Sequence, residues 1–387
     1  MFGIFFGGLL GSIQPLSSLE IKLAFLSAQR VPRVTLSNLD PIPEDIGAAG
    51  FFLGLADNGT TGKFLGQSYS ATEYLLPLGE IVEPIFDEVI GQSDFIVADL
   101  PGDLLLKLAD HAAGTNVIIF NVFDQGDALR NENCHMRVLH TIPSYGMRAD
   151  ALSQVLVSKK WTKVALLHGA NDADIAFVEA MRASLDKFSL KLRGDKEWTA
   201  GADIRRSAAS EMPLFTQGFK DHDVLIVIDE SDDFGRYVPY NTWRPSLIVG
   251  TEGLRPLGWD KTVEQWGAAQ LQSRFMELAS RPMQSRDYAA WVAVSSVGEA
   301  VIRTNSDDPK VIRSYLLSSD FELAGFKGRP LSYRKWNGQL RQPIPVVSST
   351  AQVASAPLEG FLHQTNEMDS LGSDQPETGC SAFKEDS

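Results

Sequence analysis

Two acidic loops in this chain carry residue types that can hold a cation. Asp229-Glu230-Ser231-Asp232-Asp233 follows the apolar run 224–228, and Gly250-Thr251-Glu252-Gly253 follows the run 246–249. Carboxylates placed in this way are oxygen ligands for a hard cation or partners for an ammonium group. An EF-hand loop is excluded, because counting from Asp229 its sixth and twelfth positions are Phe234 and Tyr240 instead of Gly and Glu. The plainer reading of such a run is a solvated acidic surface. Other candidate loops are Asp99-Leu100-Pro101-Gly102-Asp103 after 95–98, Asn121-Val122-Phe123-Asp124 after 117–121, and the loop from His168 that contains Asn171. They offer acids at Asp99, Asp103 and Asp124, amides at Asn121 and Asn171, and an aromatic face at Phe123. Gly59-Thr60-Thr61-Gly62-Lys63 superficially suggests a phosphate loop, but its glycines are too close together, and it reads instead as an Asn-Gly turn ending a helix. No G-x-S-x-G, H-E-x-x-H or C-x-x-C occurs and the six histidines are scattered, so no catalytic constellation is legible.

All of these loops follow short runs rich in Val, Ile and Leu, at 21–26, 95–98, 117–121, 164–167, 224–228 and 246–249. Segments long enough for helices separate the runs, with apolar stripes at 44–56, 104–111, 148–160 and 175–188. That alternation predicts an α/β fold with mostly parallel sheets flanked by helices, whose ligands bind beyond the carboxyl ends of the strands. The strand pattern restarts after Pro143-Ser144, which marks a domain boundary. Long helices at 287–303 and 309–317 have no strands between them and are expected to complete the first domain. A hairpin is expected at 330–336 and 342–348 around Asn337-Gly338.

The formal charge is −14 over 387 residues, and no Lys/Arg run offers the counterion-releasing surface that nucleic acid requires. Residues 2–13 are apolar and nearly uncharged, too short to span a bilayer but of the size of a signal peptide's apolar core. Although a basic leading segment is missing, residues 1–18 are read as an export signal; a buried first helix or strand is the alternative. The mature chain is not expected to insert into a membrane. In an exported chain the two cysteines, Cys134 and Cys380, imply one disulfide; in a cytosolic chain they would be inert thiols. Residues 356–387 carry seven acids and one Lys with frequent Gly, Ser and Pro, and are expected to form a loosely ordered acidic tail.

The arrangement resembles type I periplasmic solute-binding proteins of the branched-chain amino acid class. More narrowly, several strings are similar to one subfamily, the ABC-transporter substrate-binding proteins associated with PQQ-dependent alcohol dehydrogenase systems. They are Asp57-Asn58-Gly59-Thr60-Thr61-Gly62, Asp99-Leu100-Pro101, Asp127-Ala128-Leu129-Arg130, Leu139-His140-Thr141-Ile142-Pro143-Ser144, Phe234-Gly235-Arg236-Tyr237-Val238-Pro239-Tyr240, Leu340-Arg341-Gln342-Pro343-Ile344 and Glu359-Gly360-Phe361-Leu362-His363-Gln364-Thr365-Asn366. The resemblance implies a two-lobed, non-enzymatic periplasmic receptor with three hinge crossings that works with ABC transporter membrane subunits and needs no cofactor. Lobe one would comprise 19–142 and 256–325, and lobe two 143–255 and 326–355.

Relatives of this kind carry a Glu at the position of Glu252 that pairs with the ligand's ammonium group. They hold the ligand carboxylate with Ser and Thr where this chain has Asp99-Leu100-Pro101-Gly102-Asp103, a departure that argues against an ordinary amino acid. Asp99, Asp103, Asp124, Glu230, Asp232 and Glu252, with few basic residues between them, therefore lead to the expectation of a cationic or metal ligand. A hard metal is named because some systems of this subfamily use lanthanides as well as PQQ. PQQ itself would be repelled unless Arg130, Arg148 or Arg236 faced the cleft, and these arginines are expected at exposed positions. The rival reading is a ligand-free accessory protein of the same oxidation system, docking through its surface and acidic tail.

Overall fold

The structure is a computed structural model and describes residues 19–31, 42–199 and 204–384. The expected export signal at 1–18 lies outside the described residues. All six apolar runs are strands of two parallel sheets. The first sheet contains β1 (Leu19–Ala28), β2 (Gln67–Leu76), β3 (Phe95–Asp99), β4 (Ile118–Asn121) and β5 (Val138–His140), in the order β2-β1-β3-β4-β5. The second contains β6 (Lys163–His168), β7 (Lys191–Glu197), β8 (Val224–Ile228) and β9 (Leu247–Gly250), in the order β7-β6-β8-β9. The central strands β3 and β8 are buried at every residue, which is why they read as unbroken apolar runs. Sequence reasoning missed the edge strands β2 and β7, because strands with one free edge keep polar side chains in water.

Helices α1 (Ala48–Leu65), α2 (Glu83–Gln92) and α3 (Gly102–His111) flank the first sheet, and α4 (Tyr145–Ser158), α5 (Asp172–Lys187) and α6 (Ile204–Thr216) belong to the second. Then α7 (Ala268–Ala279), α8 (Ser285–Thr304) and α9 (Pro309–Leu316) return to the first core, where Leu271, Trp291 and Ile312 are buried with Phe25 and Phe95. The expected helix end at Asn58-Gly59 is overturned: α1 continues to Leu65 and closes at Gly66, whose φ of 68° is left-handed. Packing against α8 decides this. Asn58 Nδ2 donates to Val294 O at 2.8 Å, and a Cβ on Gly298 would lie 2.3 Å from Asn58 Oδ1.

A Cβ on Gly50 would lie 1.9 Å from Asp287 O, a backbone atom that cannot step aside. Gly50→Ala should therefore destabilise the protein by about 1–3 kcal/mol or more through overpacking. Gly59→Ala, which meets nothing within 4 Å on the same helix, should be neutral or stabilising by about 0.5–1 kcal/mol. Thermal denaturation of both variants checks the pair, and equal melting temperatures would refute the packing argument.

The expected hairpin forms, but its second arm is divided. β11 (Ser332–Tyr333) pairs antiparallel with β12 (Leu340–Arg341) around Asn337-Gly338. β13 (Ile344–Val347) instead joins β10 (Arg255–Pro256) and β14 (Gln352–Ala356) in a separate antiparallel sheet. Leu331, Tyr333 and Leu340 are buried in the first core, whereas Ile344, Val346 and Ala356 are buried in the second. The chain thus leaves the first core between Arg341 and Ile344, beyond the expected point near Phe326.

Cys134 and Cys380 form the expected disulfide, with Cα atoms 5.6 Å apart. The segment after Ala356, expected to be loose, is folded across both cores: Leu371 is buried in the second, and Cys380 and Phe383 in the first. Counter-charge accounts for the difference. Asp369 accepts from Arg334 Nε at 2.9 Å and Arg341 Nε at 2.7 Å, while Gly372 N donates to Asp150.

Candidate functional site

Each candidate loop begins at the carboxyl end of a parallel strand, so the edges of the two sheets define the site. Arg148, in the first turns of α4, joins those edges. Its Nη1 donates to Gln125 Oε1 at 3.0 Å, its Nη2 to Glu230 Oε1 at 2.8 Å, and its Nε to Pro256 O at 3.0 Å. Its guanidinium also lies 4.4 Å from the centroid of Phe177, which stacks on Tyr145. The crossings beside it are cross-braced as well. Gln339 Nε2 donates to His140 O and Ile142 O, and Gln342 donates to Thr141 O while accepting from the buried Lys327.

On the first sheet, Asp99 ends β3 with its side chain 2% exposed. It accepts from Arg30 Nη2 at 2.9 Å and, on its other oxygen, from Arg286 Nη2. Both guanidinia also lie over Phe123, 4.1 Å (Arg30) and 4.8 Å (Arg286) from the ring centroid. Asn121 is buried and shapes its own turn, accepting from Phe123 N and Asp124 N and donating to Asp124 O. Asp124 caps the N-terminus of α3 through Gly102 N and also accepts from Gly126 N, each at 2.8 Å. Asp103 is exposed. Arg130 is buried against Asp124 and Asp127, and its burial lowers its pKa to about 10.

On the second sheet, Asp229 accepts the backbone N–H groups of Asp233 and Phe234, at 2.9 and 2.8 Å, and that of Gly235. Burial pushes its carboxyl up against the pull of these donors. Asn171 precedes α5 and donates to Asp233 Oδ2 at 2.9 Å. Glu230 pairs with Arg148, and Asp232, in a left-handed conformation with φ 54°, pairs with Arg236. Glu252 is half-buried, and among the described residues it makes no hydrogen bond or ion pair.

The structure therefore brings Asp99, Phe123 and Asp124 together on one sheet edge and Asn171, Glu230, Asp232 and Glu252 on the other, but of the six acids expected to be unpaired it leaves only Glu252 and the exposed Asp103 so. Asp99, Glu230 and Asp232 have arginine partners, and Asp124 and Asp229 hold backbone donors. Among the described residues, no three His, Cys, Asp or Glu side chains are grouped to hold a metal ion. The expectation that Arg130 and Arg148 are exposed is also corrected, since both are buried by the carboxylates and carbonyls they serve. Arg30 and Arg286 escaped sequence reasoning because they lie 256 positions apart in isolation and meet only at Asp99. Two surface hollows lie away from these loops, one beside Phe219, His222 and Trp243, the other beside Glu322, Arg329 and Met368.

Burial raises the Glu252 carboxyl, opposed by Arg255 and reinforced by Asp232. A raised folded-state pKa gives stability that is present below the unfolded value, about 4.3, and lost as the pH rises through the folded value. Glu252→Gln should therefore melt above the wild type at pH 7, with the gap closing below pH 4. A lower melting temperature for the variant at pH 7 would contradict this.

The fold defined here, two parallel sheets flanked by helices and joined by braced crossings, is that of two-lobed periplasmic binding proteins. A branched-chain amino acid ABC transporter periplasmic ligand-binding protein from Burkholderia xenovorans matches with a TM-score of 0.69 at 13% identity, over 94% of this chain and 100% of that one. The leucine-, isoleucine-, valine-, threonine- and alanine-binding protein of Brucella ovis, in its closed conformation, matches with a TM-score of 0.69 at 14% identity, over 93% and 98%. An ABC transporter solute-binding protein from R. palustris, solved with benzoate, matches with a TM-score of 0.64 at 10% identity, over 94% and 99%. No protein-family model and no curated protein matches the sequence.

Proposed function

We propose that this chain is a non-enzymatic solute receptor of an ABC transporter, exported to the periplasm, whose two lobes close on a small solute and present the closed form to the membrane subunits. The observation that carries the reading is the meeting of the two strand edges at Arg148, which reaches Gln125 beyond β4 and Glu230 beyond β8. The solute lies among the loops from Asp99, Asn121, His168, Asp229 and Thr251, between a first lobe holding 19–142 and 256–325 and a second holding 143–255 with β13 and β14. The hairpin 332–341 moves with the first lobe. Closure redistributes the open and closed populations by differential contacts. The disulfide accords with an oxidising compartment, and the subfamily strings support service to a PQQ-dependent alcohol oxidation system. The accessory reading draws less support, because Met368, Leu371 and Phe383 of the tail are buried and not offered to a partner.

Native mass spectrometry of protein purified from its own periplasm tests the reading. A retained small molecule is expected, and adding it to stripped protein should reduce the radius of gyration in X-ray scattering. Protein that arrives empty, keeps one radius with every solute, and instead co-purifies with an oxidoreductase would establish the accessory role.

A further inference from the structure

We infer that residues 357–383 form a fourth connection between the lobes, a strap that stiffens the hinge and holds the ligand-free protein in a narrow range of lobe settings. This rests on the two-lobed reading above and adds a device to it. The chain crosses between its two cores near residues 143, 257 and 342. β14 then leaves it in the second core at Ala356, and Cys380 and Phe383 bring it back to the first. That return is the fourth crossing.

A loose return would carry no force, but this one is gripped by both lobes within residues 368–372. From the first lobe, Arg334 Nε and Arg341 Nε donate to Asp369 Oδ1, and Arg334 Nη2 donates to Leu371 O at 2.7 Å. From the second lobe, Gly372 N donates to Asp150 Oδ2 at 2.8 Å. Lys187 Nζ, paired with the same carboxylate, donates to Gly372 O at 3.2 Å. Leu371 is therefore held twice, by its side chain in the second core and by its carbonyl on the first-lobe hairpin. Gly372 lets the backbone lie this close to α4. Its φ is 75°, and a Cβ there would lie 3.0 Å from Met147 Cγ.

Both ends of the strap are anchored as well. On the second lobe, Leu358 N donates to Gln154 Oε1 at 2.9 Å and Phe361 packs edge-on against Phe188. On the first, Gly379 N donates to Asn131 Oδ1 and Cys380 is bonded to Cys134. A hydrogen bond is lost beyond about 3.5 Å, so a relative displacement of roughly 1 Å at Leu371 must break its bond to Arg334 or draw its side chain from the second core. Lobe rotation about crossings alone needs only dihedral changes in a few residues. A tie that must be broken first penalises settings away from this one and narrows the population.

The test is the spin-label distance distribution between Asp103→Cys and Asp172→Cys in oxidised, ligand-free, full-length protein. Both residues are exposed, at the first turns of α3 and α5 beyond the carboxyl ends of β3 and β6. With the strap intact, one narrow distribution is expected. Leu371→Asp expels the pin from the second core and sets an acid beside Asp150, so the distribution should broaden and gain distances absent from the parent. Lys187→Gln combined with Phe361→Ala, both at partly exposed positions, should broaden it in the same sense. Arg303→Gln, at the exposed far end of α8, should leave it unchanged. Circular dichroism verifies folding, and the Lys187→Gln, Phe361→Ala pair carries the test where Leu371→Asp fails to fold. Equal widths in strapped and released proteins overturn the strap and leave the receptor reading standing. The measurement uses no solute, so a protein that binds none would defeat the receptor reading and leave the strap standing.

Discussion

Replacing Cys134 and Cys380 together by Ser is expected to lower the stability of the first core by up to about 5 kcal/mol in the chain-entropy account of cross-links. The bridge joins residues 246 positions apart, so it closes most of the chain into one loop and removes many conformations from the unfolded state. It also pins a segment whose Cys380 and Phe383 are buried in the core with Trp259 and Trp291. The fluorescence of those two tryptophans reports the loss as a lower urea midpoint in the double variant and in reduced wild-type protein. Two lobes can unfold separately, so this midpoint should shift more than a probe of the second core such as Trp161. Coincident midpoints for oxidised and reduced protein would show that the bridge stabilises nothing.

Asp369→Ala should cost about 3–5 kcal/mol, the loss typical of removing one partner from a buried ionic cluster. Arg334 and Asp369 are nearly inaccessible, and Arg341 closes the cluster from the hairpin. Burial already lowers the Arg334 pKa, with Asp369 working in the opposite direction. Without Asp369, the two guanidinia lose the carboxylate they share and keep neutral neighbours, with Arg334 Nη2 on Met368 O and Leu371 O and the Trp336 ring 5.5 Å (Arg334) and 5.0 Å (Arg341) away. Asp369→Asn should be nearly as damaging, since it keeps shape and loses charge. Arg334→Met in the Asp369→Ala background should recover part of the loss by removing an uncompensated cation, and a double-mutant cycle measures that coupling. A loss below about 1 kcal/mol in Asp369→Ala would mean that the cluster is solvated and that the tail is held by its apolar residues alone.

The central strands were legible because burial on both faces demands unbroken apolar runs, and α8 was legible because its largely apolar stretch, buried from Asp287 through Gly298, is too long for a strand. The edge strands β2 and β7 were not, since half of each is wet and polar residues such as Lys191, Arg193, Asp195 and Glu197 conceal the strand. At Asn58-Gly59 local turn preference pointed the wrong way, because the contact that holds α1 together there is supplied by Val294, far along the chain.

The candidate site divides along the same line. Its loops could be read from strand ends, because the residues beyond a parallel strand's carboxyl end are positioned by the strand itself. The disulfide pairing likewise needed only a count of two cysteines. What the acids do there was decided by tertiary structure alone. Asp99 looked like a free carboxylate until folding carried Arg30 and Arg286 to it, and Glu230 until α4 delivered Arg148. Charge is a long-range property that depends on which groups meet in space, and a chain's order along the sequence does not record which arginine, hundreds of residues away, will share an acid's pocket.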